Sequence, residues 1–222
     1  MIRKPQFSII NYPLSILACS LWLMGCVSAT EKPLPIFGER EPVVRDVSGQ
    51  KITDTLYHII ANFSFIDQDS AEVTNTTFQD KIYVADFFFT SCRTICPIMK
   101  AQMLRVYDSV QTSSDVLILS HTIDPEYDTV ELLRDFANRL GVKSNKWHFV
   151  TGAKDSIYNI AQTSYFATAM EDNTEPDGFI HSGAFLLIDK ERRIRGKYDG
   201  TVEEDVNRLV KDIRRLRKEY VK

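Results

Sequence analysis

The stretch Val84-Ala85-Asp86-Phe87-Phe88-Phe89-Thr90-Ser91-Cys92-Arg93-Thr94-Ile95-Cys96-Pro97 decides how the rest of the chain is read. Its first half is an almost unbroken apolar run, the pattern of a strand buried on both faces. Two cysteines follow at i and i+4, and a proline comes at once. Proline suits the first turn of a helix, where its missing N–H costs nothing. The spacing therefore predicts Cys92 in a strand-to-helix loop and Cys96 at the helix cap. Four residues make about one helical turn, so the two sulfurs can face each other. A helix N-terminus lowers thiol pKa values. The expectation is a pair of reactive thiolates that form a disulfide or grip one soft metal ion. Free cysteines are also common as plain packing residues, but structural helices seldom open with two cysteines and a proline. A closed zinc site would need four ligands, and no second Cys/His pair follows at zinc-finger spacing.

Around this stretch the pattern alternates. ANFSFIDQDSAEVTN predicts a small hairpin turning at Asp67-Gln68-Asp69-Ser70, and KIYVADFFF a buried strand. PIMKAQMLRVYDSV has helical spacing, DVLILSHTI is a second buried strand, and DTVELLRDFANRL is a helix ending at Gly141. KWHFVTG reads as a strand and KDSIYNIAQTSY as a helix. SGAFLLID and RIRGKYDG form a hairpin around Lys190-Glu191-Arg192, and a last helix closes the chain. This order implies α/β layering. Reactive cysteines at the C-terminal end of the first long strand, before a helix, describe a thioredoxin-like fold. It should have a central mixed sheet flanked by helices and an N-terminal β-hairpin extension. The polar segment from about Tyr165 to Gly178 reads as an inserted loop.

The N-terminus reads as a secretory signal. Met1-Ile2-Arg3-Lys4 is basic, and eleven mostly apolar residues run from Leu14 to Met24. That run is too short to span a bilayer comfortably. It ends in Leu23-Met24-Gly25-Cys26, which resembles a bacterial lipobox. The expected organisation is a signal over 1–25, an extended proline-containing tether over 26–42 and one domain over 43–222. Cys26 would carry lipid, placing an exported protein on a bacterial cell membrane, facing the periplasm or outer surface; the competing reading is an uncleaved anchor. Only Cys92 and Cys96 then remain in the folded part, so this is no disulfide-stapled scaffold. Net charge is −3. No basic patch of the kind nucleic acid needs is present, and the basic C-terminal helix reads as a solvated face.

His181 is the third candidate, in Phe179-Ile180-His181-Ser182-Gly183 just before the hairpin strand. Thioredoxin-like folds usually set a cis-proline in this loop, facing the cysteines; here a histidine is available. Two thiolates and an imidazole are a soft donor set suited to copper. His58, His121 and His148 read as ordinary core or surface histidines.

The chain resembles the Sco/SenC family of copper-binding, thioredoxin-like proteins. FTSCRTICP is similar to that family's cysteine motif. TIDPEYDTVELLRDFANRLG is similar to its Asp-Pro…Asp-Thr segment, WHFVTG to its tryptophan strand and HSGAFLLID to its histidine segment. The resemblance covers about residues 60–220. It implies copper, as Cu(I) or Cu(II), on Cys92, Cys96 and His181. It also implies a role in assembling the binuclear copper centre of cytochrome c oxidase, by delivering copper or reducing its thiols, with the oxidase copper-binding subunit or another cuproprotein as partner.

Asp86 lies six residues before Cys92 on a strand that should be buried, and a buried carboxylate is costly unless paired. Either it stands behind the metal ligands and tunes them, or it is satisfied locally. Asp124 and Asp128 are expected to order the loop after their strand and cap its helix; the Asp124 carboxylate facing the metal loop is the alternative. Two rival functions remain. One is a thiol-disulfide oxidoreductase acting on exported proteins through Cys92–Cys96. The three-residue spacer and the absent cis-proline speak against a general reductase. The other is a peroxiredoxin-like peroxidase, which needs threonine or serine where Phe89 stands.

Overall fold

A computed structural model describes residues 32–172, 174 and 178–221, and of His181 the backbone alone. The expected signal (1–25) and Cys26 lie outside the described residues. Contacts divide the chain into Met1–Lys32 and Pro33–Lys222, and the second unit is the one described here. No helix among the described residues is long and apolar enough to cross a membrane.

The elements in chain order are β1 (Arg40–Val47), β2 (Gln50–Tyr57), β3 (Ser64–Asp67), β4 (Glu72–Thr74), β5 (Ile82–Phe88), α1 (Cys96–Val110), β6 (Val116–Thr122), α2 (Val130–Leu140), β7 (Trp147–Thr151), α3 (Lys154–Thr163), β8 (Ala169–Glu171), β9 (Phe179–His181), β10 (Ala184–Ile188), β11 (Ile194–Asp199) and α4 (Glu203–Glu219). Seven strands form one mixed sheet in the order β11-β10-β5-β6-β7-β3-β4. Its centre, β5-β6-β7, is parallel, with Asp86 beside Ser120 and Phe87 beside His121. All seven residues of β5 and of β6 are buried, as strands covered by helices on both faces must be. The C-terminal hairpin adds antiparallel to β5 through Leu186↔Ala85. The anticipated hairpin of β3 and β4 is the opposite edge of this sheet, joined to β7 through Ile66↔Thr151. This is the α/β, central mixed sheet expected from the alternation of patterns.

Three local readings differ from expectation. Residues 40–57, where the sequence predicts a tether to residue 42 and no element after it, form an exposed hairpin turned by Ser48 and Gly49, both at positive φ (57° and 81°). That is the combination a two-residue I′ turn demands. Among the described residues, packing onto the domain begins at Leu34, ahead of the expected boundary at residue 43. Leu34 is buried, and the Arg195 guanidinium donates to the carbonyls of Leu34 (2.7 Å) and Pro35 (3.1 Å). Arg195 also pairs with Asp189 and Glu219, which satisfies a nearly inaccessible cation. Lastly, the segment after Tyr165 holds a short two-stranded sheet, β8 against β9.

Candidate metal centre

β5 carries the chain to Phe88, and the loop 89–95 turns it into α1. Cys96 opens α1 with Pro97 behind it, and Cys92 lies in the loop, as spacing predicted. Both cysteines are thiols outside any disulfide, and both are buried. Their side chains hydrogen-bond one another, and this contact is the largest influence on Cys96, whose thiol is pushed well above the ordinary range. Burial adds to the push, and the charge of Asp86 contributes a smaller upward part. The helix N-terminus does not win here. The neighbouring sulfur and burial both disfavour charge on Cys96, against the pull of the helix N-terminus. Metal binding must therefore displace protons. Cys92 Sγ also lies 3.5 Å from Thr94 Oγ1.

The segment that holds His181 runs alongside this loop. Phe179 packs on Phe89 with ring centroids 5.0 Å apart. A methyl built on Gly183 would lie 3.7 Å from Ile95 Cδ1, so Gly183 faces the residue just before Cys96. His181 sits between these two contacts, its backbone in β9 paired with Ala169. The fold thus brings together both segments singled out in the sequence. Among the described residues, from which the His181 side chain is missing, no three His, Cys, Asp or Glu side chains cluster as a metal site. The two adjacent, buried sulfurs are a donor set that fits a soft ion.

Asp86 is 5% exposed. It accepts a short hydrogen bond from the Ser120 hydroxyl, and Ser120 Oγ accepts one from Trp147 Nε1 at 2.8 Å. The carboxylate is satisfied locally and also acts electrostatically on Cys96.

The acidic segment after β6 differs from expectation. Thr129, not Asp128, caps α2, accepting from Leu132 N–H. Asp128 is fully buried and turns back toward the cysteine loop. It accepts from the Thr90 N–H at 3.1 Å, from the Thr90 hydroxyl and from the Thr122 hydroxyl. Burial, with the charge of Asp128 beside it, holds the Asp124 carboxyl above the usual carboxylate range. Sequence reasoning missed the contact with Thr90; only the family-like Asp-Pro…Asp-Thr pattern hinted that this segment matters.

The other histidines are structural. His148 Nδ1 lies 2.9 Å from Asp67 Oδ2, and His58 Nε2 lies 2.8 Å from the Ser164 carbonyl. His121 is wholly buried and stacks on Phe87 at 4.9 Å.

A model of the SCO1/SenC family matches residues 52–218, three quarters of the chain. The chain belongs to the SCO1/SenC family. A curated relative, the SCO1 protein homolog of Bacillus subtilis, is 31% identical over 168 residues, 75% of this chain and 86% of the relative. The SCO1/SenC family lipoprotein from Bacillus anthracis superposes with a TM-score of 0.66 at 26% identity, covering 72% of this chain and 95% of its own. BsSco, described as having a disulfide switch and as a member of the Sco family of cytochrome c oxidase assembly proteins, gives 0.60 at 30% identity (70% and 92%). Arabidopsis thaliana ScoI, solved with copper bound, gives 0.59 at 26% identity (70% and 98%). These neighbours establish the thioredoxin-like fold of the SCO1/SenC family for this chain.

Proposed function

We propose that this chain is a membrane-tethered copper-binding protein acting in assembly of the copper centre of cytochrome c oxidase. Cys92, Cys96 and His181 are its copper ligands, and lipidated Cys26 is its anchor. The observation that carries this reading is the pair of hydrogen-bonded, buried sulfurs in a loop that packs along the His181 segment. Copper is the cargo. As Cu(I) it needs little beyond two thiolates, and an added imidazole suits Cu(II). The same sulfurs serve a second reading, thiol reduction. There Cys92 and Cys96 become a disulfide, and the two electrons and two protons they lose convert a client disulfide to two thiols. The copper-bound Arabidopsis neighbour supports delivery, and the disulfide switch of BsSco supports reduction. Either way the client is the dithiol of an oxidase copper-binding domain or of another cuproprotein.

The purified protein should reduce insulin poorly, yet transfer copper to, or reduce, the dithiol of an oxidase copper-binding domain. Loss of the protein should lower oxidase activity, with partial restoration by added copper. His181→Ala should fail to restore it while still forming the Cys92–Cys96 disulfide. Full restoration by His181→Ala would transfer the function to the reductase reading.

A further inference from the structure

We infer that Asp128 is the positioning residue of the cysteine loop, acting through Thr90 to hold Cys92 against Cys96. The two sulfurs are not held equally. Cys96 is the first residue of a 15-residue helix and inherits its rigidity. Cys92 sits in a loop whose neighbours Ser91, Arg93 and Thr94 are exposed. Its N–H reaches the Phe89 carbonyl only at 3.4 Å, beyond the usual span. Ile95 at the helix cap makes no side-chain capping bond.

Thr90 is the fixed point. Both its donors, N–H and hydroxyl, end on one carboxylate, that of Asp128. The carboxylate is itself held. Asp128 N–H donates to the Asp124 carbonyl at 2.8 Å, so the turn Asp124–Asp128 folds the side chain back over β6. There the Thr122 hydroxyl donates to it, and Thr122 Oγ1 accepts from Asp124 N–H at 3.1 Å. Asp128 thus ties together the end of β5, the end of β6 and the turn before α2. Hydrogen bonds to an ionised carboxylate are among the strong ones, and a dry site strengthens them. A fully buried carboxylate with three donors, two from the residue two before Cys92, is placed to fix the distance between the sulfurs. That distance governs both disulfide formation and the fit of a metal between them.

The role in redox geometry stands on its own; the role in copper affinity rests on the function proposed above. The test measures both in the full chain carrying Asp128→Asn, Thr90→Val or Thr90→Ser. First, the metal-free dithiol is equilibrated with reduced and oxidised glutathione. Asp128→Asn and Thr90→Val should each make the intramolecular disulfide about ten-fold less favourable, about 30 mV in midpoint potential. Thr90→Ser, which keeps both donors, should retain the parent value. Second, copper(I) affinity, read by competition with a chromophoric chelator, should fall about 10–100-fold in the same two variants and not in Thr90→Ser. A parent that binds no copper would overturn the proposed function and leave the glutathione arm valid. Parent-like potentials in Asp128→Asn and Thr90→Val would reduce Asp128 to a stability element and overturn the inference. If Asp128→Asn does not fold, Thr90→Val against Thr90→Ser decides alone.

Discussion

Serine at both Cys92 and Cys96 should abolish copper retention altogether, from one equivalent per chain to none. The two sulfurs are the only cysteine thiols among the described residues, and hydroxyls do not replace thiolates for copper(I). The copper(II) form of the parent should show a sulfur-to-metal charge-transfer band in the visible, and the double variant should lack it. His181→Ala should separate the oxidation states. It removes the one nitrogen from the set, so copper(II) holding should weaken more than copper(I) holding, for which two thiolates suffice. Stoichiometry and band unchanged in the double serine variant would place copper elsewhere in the chain.

Acid should destabilise the fold through His121, and His121→Phe should relieve it. The ring is fully buried, with no hydrogen-bond partner for either nitrogen among the described residues. Phe87, Phe63, Phe65 and Tyr165 surround it. Burial depresses its pKa from 6.5 to about 3, outweighing an upward pull from the Asp86 backbone. In the unfolded chain the imidazole takes a proton near pH 6.5, while in the folded chain it stays neutral to about pH 3. Between those values the unfolded state binds more protons, so stability falls as pH falls. Above pH 6.5 the group contributes no slope. The gap corresponds to at most about 5 kcal/mol across the window, at up to about 1.4 kcal/mol per pH unit. Asp128 works in the opposite direction, since burial raises its carboxyl and protonation at low pH favours the folded form. Comparing parent with His121→Phe isolates the histidine. Urea unfolding from pH 8 to pH 4 should show a shallower loss of stability in the variant, with equal or greater stability at pH 8, where an aromatic ring without unsatisfied nitrogens replaces it. An identical acid slope in both proteins would show that His121 is not the buried neutral group described.

The centre of the fold was legible because its signals are local. An apolar run before Cys92 and Pro97 after Cys96 fix a strand, a loop and a helix within fourteen residues. Gly141 closes α2 at φ 69°, a left-handed cap that glycine adopts without strain. What stayed hidden depends on residues far apart in the chain. Thr90 and Asp128 are separated by 38 positions, and neither carries a pattern that names the other. Asp128 precedes a helix, so capping was the natural reading, and Thr129 took that role instead. The hairpin over 40–57 mixes charged and apolar residues on both faces, because neither face is buried. Without a core to face, its strands lack the alternation that betrays a strand. Ser48-Gly49 was the one available signal. The upward push on the Cys96 thiol was harder to read, since the helix terminus is visible in sequence and the depth of burial is not.

Copper(I) titration of the metal-free chain in two states, dithiol and Cys92–Cys96 disulfide, tests the account most directly. The dithiol should bind one equivalent through the two sulfurs, with release of thiol protons, and the disulfide should bind none. Equal binding by both states would contradict the thiol pair as the copper site.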